Sequence, residues 1–342
     1  MASHPDFDPD YVSPSLCRLV SPSLGSVSNF DAGSAITAIA AGGVAILADG
    51  SSDDSQISLI AAARDIDAAI VNFMARNGRG LICMPIASEQ ACRIGLTPMA
   101  GAIGNNPRCP GFSRSIEARS GVSTGISAHD RARTMSVAAA ADACACDIVS
   151  PGHVFPIIGH ENGLLGRCGA EEAAIELVRL AGRGFAAVLC RILRDDGEVA
   201  TVDDIPNLGW MRPLEAVDIG TLLAGQCART RLVHRDDALR FMEPSAPFQL
   251  RVYREQDGGR LHYGLLHGSR TDRDRSVIRI CRDGDAGQNI HTVAALAIAI
   301  GDGVSEPGAS LILVSGRERG FAGDIVNEAI GREILEDLML NG

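Results

Sequence analysis

The chain has 342 residues, a length that fits about two domains, and its 46% hydrophobic and 21% charged content supplies enough apolar material for packed cores. A formal net charge of −11 argues against nucleic acid as a partner, and the longest apolar stretch, Val293 to Ile300, is far too short to span a bilayer. Only 4% of residues are aromatic while Gly and Ala abound, which points to close-packed α/β layers rather than an aromatic β-sandwich.

Residues 1–30 are rich in Ser, Pro and Asp with little periodicity and read as a mobile tail. Their polar, acidic start lacks the pattern of a signal peptide, so a cytoplasmic location with reduced thiols is expected. A helix is expected over Ala35 to Ala41, a short strand over Val44 to Leu47, and a polar loop over Ala48 to Ser58. Asp65 to Asn77 reads as a helix ending at Gly78, and Gly80 to Pro85 as a buried strand. Ser127 to Ala141 reads as a helix with Ser127 as its cap and Asp130 at its third position. The ten cysteines are scattered, and Cys144 and Cys146 form a C-x-C pair with no second pair at zinc-ribbon spacing; they read as ordinary small side chains. Glu171 to Leu180 is an amphipathic helix, and Ala186 to Leu193 a strand running into the turn Arg194-Asp195-Asp196-Gly197. Alternation of strand and helix to about residue 224 argues a layered α/β domain at 31–224. The charged, irregular stretch 225–246 reads as a linker to a smaller α+β domain at 247–342. That domain opens with a hairpin, Phe248 to Glu255 and Arg260 to His267 around Gln256-Asp257-Gly258-Gly259. Strands at Val277 to Cys281 and Ser310 to Val314 and helices at Ile290 to Ile300 and Ile325 to Leu340 complete it.

Five segments, NFMARNGRGLIC (72–83), SGVSTGISAHDRART (120–134), SPGHVFPI (150–157), GRCGAEEAAIELVRLAG (166–182) and AAVLCRILRDDGEVA (186–200), resemble 3,4-dihydroxy-2-butanone 4-phosphate synthases in order and spacing. The resemblance covers roughly residues 31 to 224 and implies a three-layer α/β domain that forms a homodimer. It also implies the conversion of ribulose 5-phosphate to the four-carbon phosphate and formate with magnesium or manganese. Phe248 to Gly268 and Val277 to Gly287 look more weakly like the start of GTP cyclohydrolase II. In place of that family's zinc cysteines stand Cys281, Arg282, Asp283 and Gly284 and then a cysteine-free stretch, so zinc catalysis is not expected.

Residue by residue, the first resemblance keeps some groups and replaces others. His153 falls on a catalytic histidine, although a strand-terminal His bonded to the backbone suits it equally, and Arg167, Asp130 and Arg131 fall on substrate-binding positions, although Asp130 and Arg131 equally suit an ion pair or helix cap. Gly78, Gly80 and Cys83 read as fold residues, and Arg108 and Arg114 as possible phosphate contacts or simply exposed arginines. The family's acidic loop after the first strand, which supplies a metal-binding Glu, is replaced by a loop whose only acids are Asp49, Asp53 and Asp54. A second metal ligand, a His, is replaced by Ala170, beside Glu171 and Glu172 at a helix start, where Glu172 suits the helix dipole. The family's acid/base Glu is replaced by Arg191, which cannot take up a proton at working pH.

Three functional readings follow. By family, the chain belongs to riboflavin synthesis, with an activity weakened or lost because one such group alone supplies roughly 10²- to 10⁴-fold. Alternatively it is an inactive homologue with a binding or regulatory role, or a divergent lyase or isomerase of another sugar phosphate.

Overall fold

The computed structural model describes residues 30–50, 54–99, 111–208, 214–236, 248–256, 259–267, 276–281, 310–315 and 321–340. The tail at 1–29, Asp53, Arg108 and the helix expected at 290–300 lie outside the described residues. The chain divides into two compact units, residues 1–223 and 224–342.

In chain order the first unit carries α1 (Ala32–Ala40), β1 (Ala45–Ala48), β2 (Ile57–Ala62), α2 (Ala68–Asn77), β3 (Arg79–Ile86), α3 (Ser88–Arg93), β4 (Gly111–Phe112) and β5 (Ile116–Ala118). It continues with α4 (Ala128–Ala139), β6 (Ile148–Ile158), α5 (Gly163–Gly166), α6 (Ala170–Leu180), β7 (Ala187–Ile192) and β8 (Ala216–Asp218). Then α7 (Ile219–Arg229) runs across the division between the units. The strands form one sheet in the order β4-β6-β3-β7-β2-β1-β8, with β5 added beside β6. Strands β3 and β6 run parallel, while β7 is antiparallel to both β2 and β3.

Alternate residues of this sheet point to opposite faces. Ile82, Met84, Val188, Cys190, Leu59 and Ile46 face one way, into a core shared with α2 and α4. The opposite face is covered by α6, which packs on β1, β2, β3 and β7 and against α1. Helix, sheet, helix is therefore the layering, a mixed α/β fold of the class expected from the alternation.

Local chemistry sets the boundaries. Helix α2 starts at Ala68, because the Asp67 carboxylate accepts the Ile70 N–H and caps it there, three residues later than its periodicity suggests. Ser127 caps α4 by accepting the Asp130 N–H at 3.0 Å, as expected. Strand β2 is absent from the reading of the sequence. Its run Ile-Ser-Leu-Ile-Ala-Ala is buried at every position, so it lacks the alternation that marks a strand, and its first residues fall in the expected loop. His153 lies in the middle of β6, rather than at a strand end.

The second unit has a sheet ordered β12-β13-β11-β10-β9, from β9 (Val233–Arg235), β10 (Phe248–Glu255), β11 (Leu261–His267), β12 (Ser276–Cys281) and β13 (Ser310–Ser315). The closing helix α8 (Phe321–Leu340) packs against β11, β12 and β13. The stretch expected as a linker therefore carries the end of α7 and all of β9, which pairs with β10. A three-residue strand is too short to announce itself by alternation.

Candidate functional site

Family-site residues fall into four places in the first unit. The first is on β6. His153 Nδ1 lies 3.0 Å from Oε2 of Glu117 on β5, with His153 44% exposed and Glu117 13%. Gly152 lets the strands approach, because a Cβ there would meet the Ile116 carbonyl oxygen at 2.1 Å. Glu117 Oε1 is buried without a hydrogen-bond partner. It lies against Gly125, where a Cβ would stand 1.8 Å from it; Gly125 also has a φ of +83°, which favours glycine.

The second place is the loop and first turn of α4. Asp130 Oδ2 accepts from Ser123 Oγ at 2.9 Å and from the Gly125 N–H at 3.0 Å. Desolvation acts to raise this carboxyl, but the hydrogen bonds from Ser123, Gly125 and Ser127 outweigh it and hold it at about 2. Gly125 thus joins Asp130 to Glu117 and so to His153. Arg131 is half-buried and lies within electrostatic reach of Cys190.

The third place is the end of β7. Arg191 Nη1 donates to Asp49 Oδ2 at 2.7 Å, with the side chains 30% and 23% exposed. Register puts Arg191 opposite Ser58, which is opposite Leu47, while Leu189, Cys83 and Phe155 form a neighbouring row. By period-two alternation His153 and Arg191 therefore lie on the same face of the sheet, towards the start of β3 and β6. Cys83 sits on that face, and burial, with Cys190 and Glu171 adding to it and Arg191 opposing, pushes its thiol up to about 12.

The fourth place is the start of α6, near the far end of β6. Arg167 Nη2 donates to the Ile158 carbonyl at 3.2 Å and to Glu172 Oε1 at 2.5 Å. Glu172 also accepts the His160 N–H at 2.9 Å, and its side chain is fully buried. Glu172 is thus a buried anchor rather than a helix-start charge facing the dipole alone; the Gly169 turn before α6 folds it inwards, where a Cβ on Gly169 would meet Glu172 Oε2 at 2.9 Å. Ala170 is buried beside it. The structure thus brings together His153 and Asp130 through Glu117, and holds Arg167 apart from them.

Glu117 is the residue that sequence reasoning missed. Its signal is an acid inside a short apolar strand, Ile116–Ala118, directly before the Gly-rich loop. Asp54 and Arg114 are exposed, and neither joins a group of ligating side chains among the described residues. The only such group there is Cys144, Cys146 and Asp147, and the two sulfurs are bonded to each other. That bond corrects the expectation of two ordinary reduced thiols. The single turn Ala145–Asp147 curls the chain and brings the two Cα atoms to 5.3 Å, within disulfide reach.

The sequence profile of the 3,4-dihydroxy-2-butanone 4-phosphate synthase family matches residues 33–224, more than half of the chain, and the chain belongs to that family. The Pseudomonas aeruginosa 3,4-dihydroxy-2-butanone 4-phosphate synthase is 37% identical over 70% of this chain and 65% of its own length. The Aquifex aeolicus riboflavin biosynthesis protein RibBA is 34% identical over 73% and 63%. The match thus spans a little under two thirds of these relatives. Among solved structures, RibBX of A. baumannii, a two-domain 3,4-dihydroxy-2-butanone 4-phosphate synthase, aligns over 90% of both chains at 27% identity and a TM-score of 0.72. A synthase in complex with two magnesium ions aligns over 56% of this chain at 30% identity and a TM-score of 0.52. No described helix is long and apolar enough to cross a membrane.

The described residues do not fit a magnesium or manganese ion. Such cations want several carboxylate, carbonyl and water oxygens. Here the Asp49 carboxylate is committed to Arg191, whose cation would repel a metal, and Ala170 offers no ligand atom.

Proposed function

We propose that this chain is a member of the riboflavin-synthesis family that has lost the magnesium-dependent conversion of ribulose 5-phosphate and keeps the scaffold for binding an anionic sugar phosphate. The Arg191–Asp49 ion pair carries this reading. It puts a fixed cation and a neutralised carboxylate where the family resemblance places a base and an acidic loop. Arg191 remains 30% exposed, so it keeps a face for an anion. The family resemblance implies a homodimer, which sedimentation of the purified chain checks.

The test is turnover of ribulose 5-phosphate with magnesium, read as formate release. The expected rate lies at least about 10²-fold below that of an ordinary synthase. Ordinary turnover would overturn the reading. The double change Ala170→His with Arg191→Glu is expected not to rescue activity, since the acidic loop is still missing; rescue would mean that Asp49, Asp53 or Asp54 already serves a metal. Thermal stabilisation by a sugar-phosphate panel, with a rise for at least one member, checks binding.

A second reading, a lyase or isomerase of another sugar phosphate, is favoured by the Glu117–His153 pair. A carboxylate on Nδ1 fixes that nitrogen as the donor and leaves Nε2 to accept a proton from a bound substrate. Loss of turnover in His153→Gln, for any sugar phosphate that the chain converts, would separate this reading from the first.

A further inference from the structure

The C-x-C turn takes no part in the site above, and its surroundings are organised. We propose that Cys144 and Cys146 form a reversible dithiol/disulfide site that exchanges with low-molecular-weight thiols.

The first ground is a frame that does not depend on sulfur. Asp147 Oδ2 accepts the Cys144 N–H at 2.8 Å, and the Asp147 N–H closes the turn on the Cys144 carbonyl at 3.0 Å. Arg119 donates through Nε to the Cys146 carbonyl at 2.5 Å and through its backbone N–H to the Asp147 carbonyl at 2.8 Å. On the other side, Gln90 donates to the carbonyls of Ala138 and Ala140, each at 3.0 Å, and fixes the end of α4. Opening the S–S bond leaves all of these in place. The two thiols then stay close, so reclosure is intramolecular and favoured.

The second ground is access. The turn lines an open cleft of about 510 Å³, whose charged lining is Arg119, Arg133, Asp142 and Asp147. Asp142 and Asp147 offset the two cations, with Asp147 Oδ1 4.0 Å from Cys146 Sγ, so the cleft admits small thiols without selecting for their charge. Cys146 is exposed and Cys144 half-buried, so Cys146 Sγ is the sulfur open to attack. Two other thiols offer the contrast: desolvation pushes the half-buried Cys168 and the buried Cys190 up to about 11, which keeps them protonated.

The exchange balances as follows. A small thiolate attacks Cys146 Sγ, the S–S bond breaks, and Cys144 departs as a thiolate that takes up a proton. A second small thiol attacks the small-molecule sulfur of the mixed disulfide and releases Cys146. Two electrons pass to the protein, two small thiols become one small disulfide, and the reverse sequence reoxidises the pair.

The test uses the full chain in glutathione buffers of graded ratio, quenched with an alkylating reagent. The tryptic peptide 134–167 contains both cysteines and no other. Its unlabelled, oxidised form is expected to give way to a doubly labelled form as reduced glutathione increases, with the same midpoint from either direction. In Cys144→Ser, Cys146 is expected to be trapped as a glutathione mixed disulfide. A peptide that never changes state, or midpoints that differ with direction, would overturn the proposal. So would a reduced chain that takes up one zinc ion and then resists glutathione disulfide. The peptide readout on the unaltered chain does not depend on any variant folding.

Discussion

Two arginines at family-site positions are both held by carboxylates of the same chain, and the two pairs differ in depth. Arg167–Glu172 is 13% and 0% exposed and is tied further to Ile158 and His160. Arg191–Asp49 is 30% and 23% exposed. A buried pair is a framing element, since either partner alone would be an uncompensated charge in a poor solvent. A half-exposed pair is screened by water and exchangeable, so its charges stay available to a ligand. Position for position, then, Arg167 is tied more deeply into the fold, and Arg191 is the more exposed of the two cations.

The comparison is broken most sharply at Glu172. Glu172→Ala leaves Arg167 with its main partner gone, and a loss of about 3–5 kcal/mol is expected in urea-unfolding stability. A loss under about 1 kcal/mol would mean that Arg167 finds water and is a ligand-facing group after all. Asp130 comes next and brings a pH signature. Its carboxyl sits at about 2, below the ordinary aspartate value near 3.9, because the hydrogen bonds favour the charged form over the opposing desolvation. A depressed folded value means that this contribution is complete above the ordinary value and drains away as pH falls towards 2. Asp130→Asn is therefore expected to lower the denaturation midpoint at pH 7, by less than Glu172→Ala does, and the difference from the unaltered chain should begin to narrow below about pH 4 and close towards about pH 2. A gap of constant size down to pH 2 would assign the Asp130 contribution to packing instead of charge.

Much of the scaffold was legible in the sequence. Caps such as Ser127, the amphipathic run that became α6, and the hairpin strands β10 and β11 are local signals that tertiary contacts reinforce. What failed was the part written across the fold. Strand β2 is buried on both faces and so shows no alternation, and β9 is only three residues long. The pairing of Asp49 with Arg191 spans 142 positions and depends on β1 and β7 ending at the same edge of the sheet on either side of β2, which no local pattern reports. Glu117 escaped for the same reason, since its partner His153 is 36 residues away on a neighbouring strand. The substitutions Ala170 and Arg191 were visible one by one; that Arg191 had found a carboxylate in the loop of the missing acids was not.

The smallest effect in this set is the most informative about that compensation. A double-mutant cycle on Asp49→Asn and Arg191→Gln is expected to return a coupling of about 0.5–1 kcal/mol, falling as salt is raised, because both groups are partly wet. Asp49→Asn alone should cost little stability yet leave Arg191 without its counter-ion, so affinity for a sugar phosphate should rise while affinity for a divalent cation should not. Arg191→Gln should do the reverse, freeing the Asp49 carboxylate and weakening the anion. If Asp49→Asn weakens phosphate binding instead, Asp49 is orienting Arg191 towards the ligand rather than neutralising it, and the two ion pairs are alike in kind and differ only in burial.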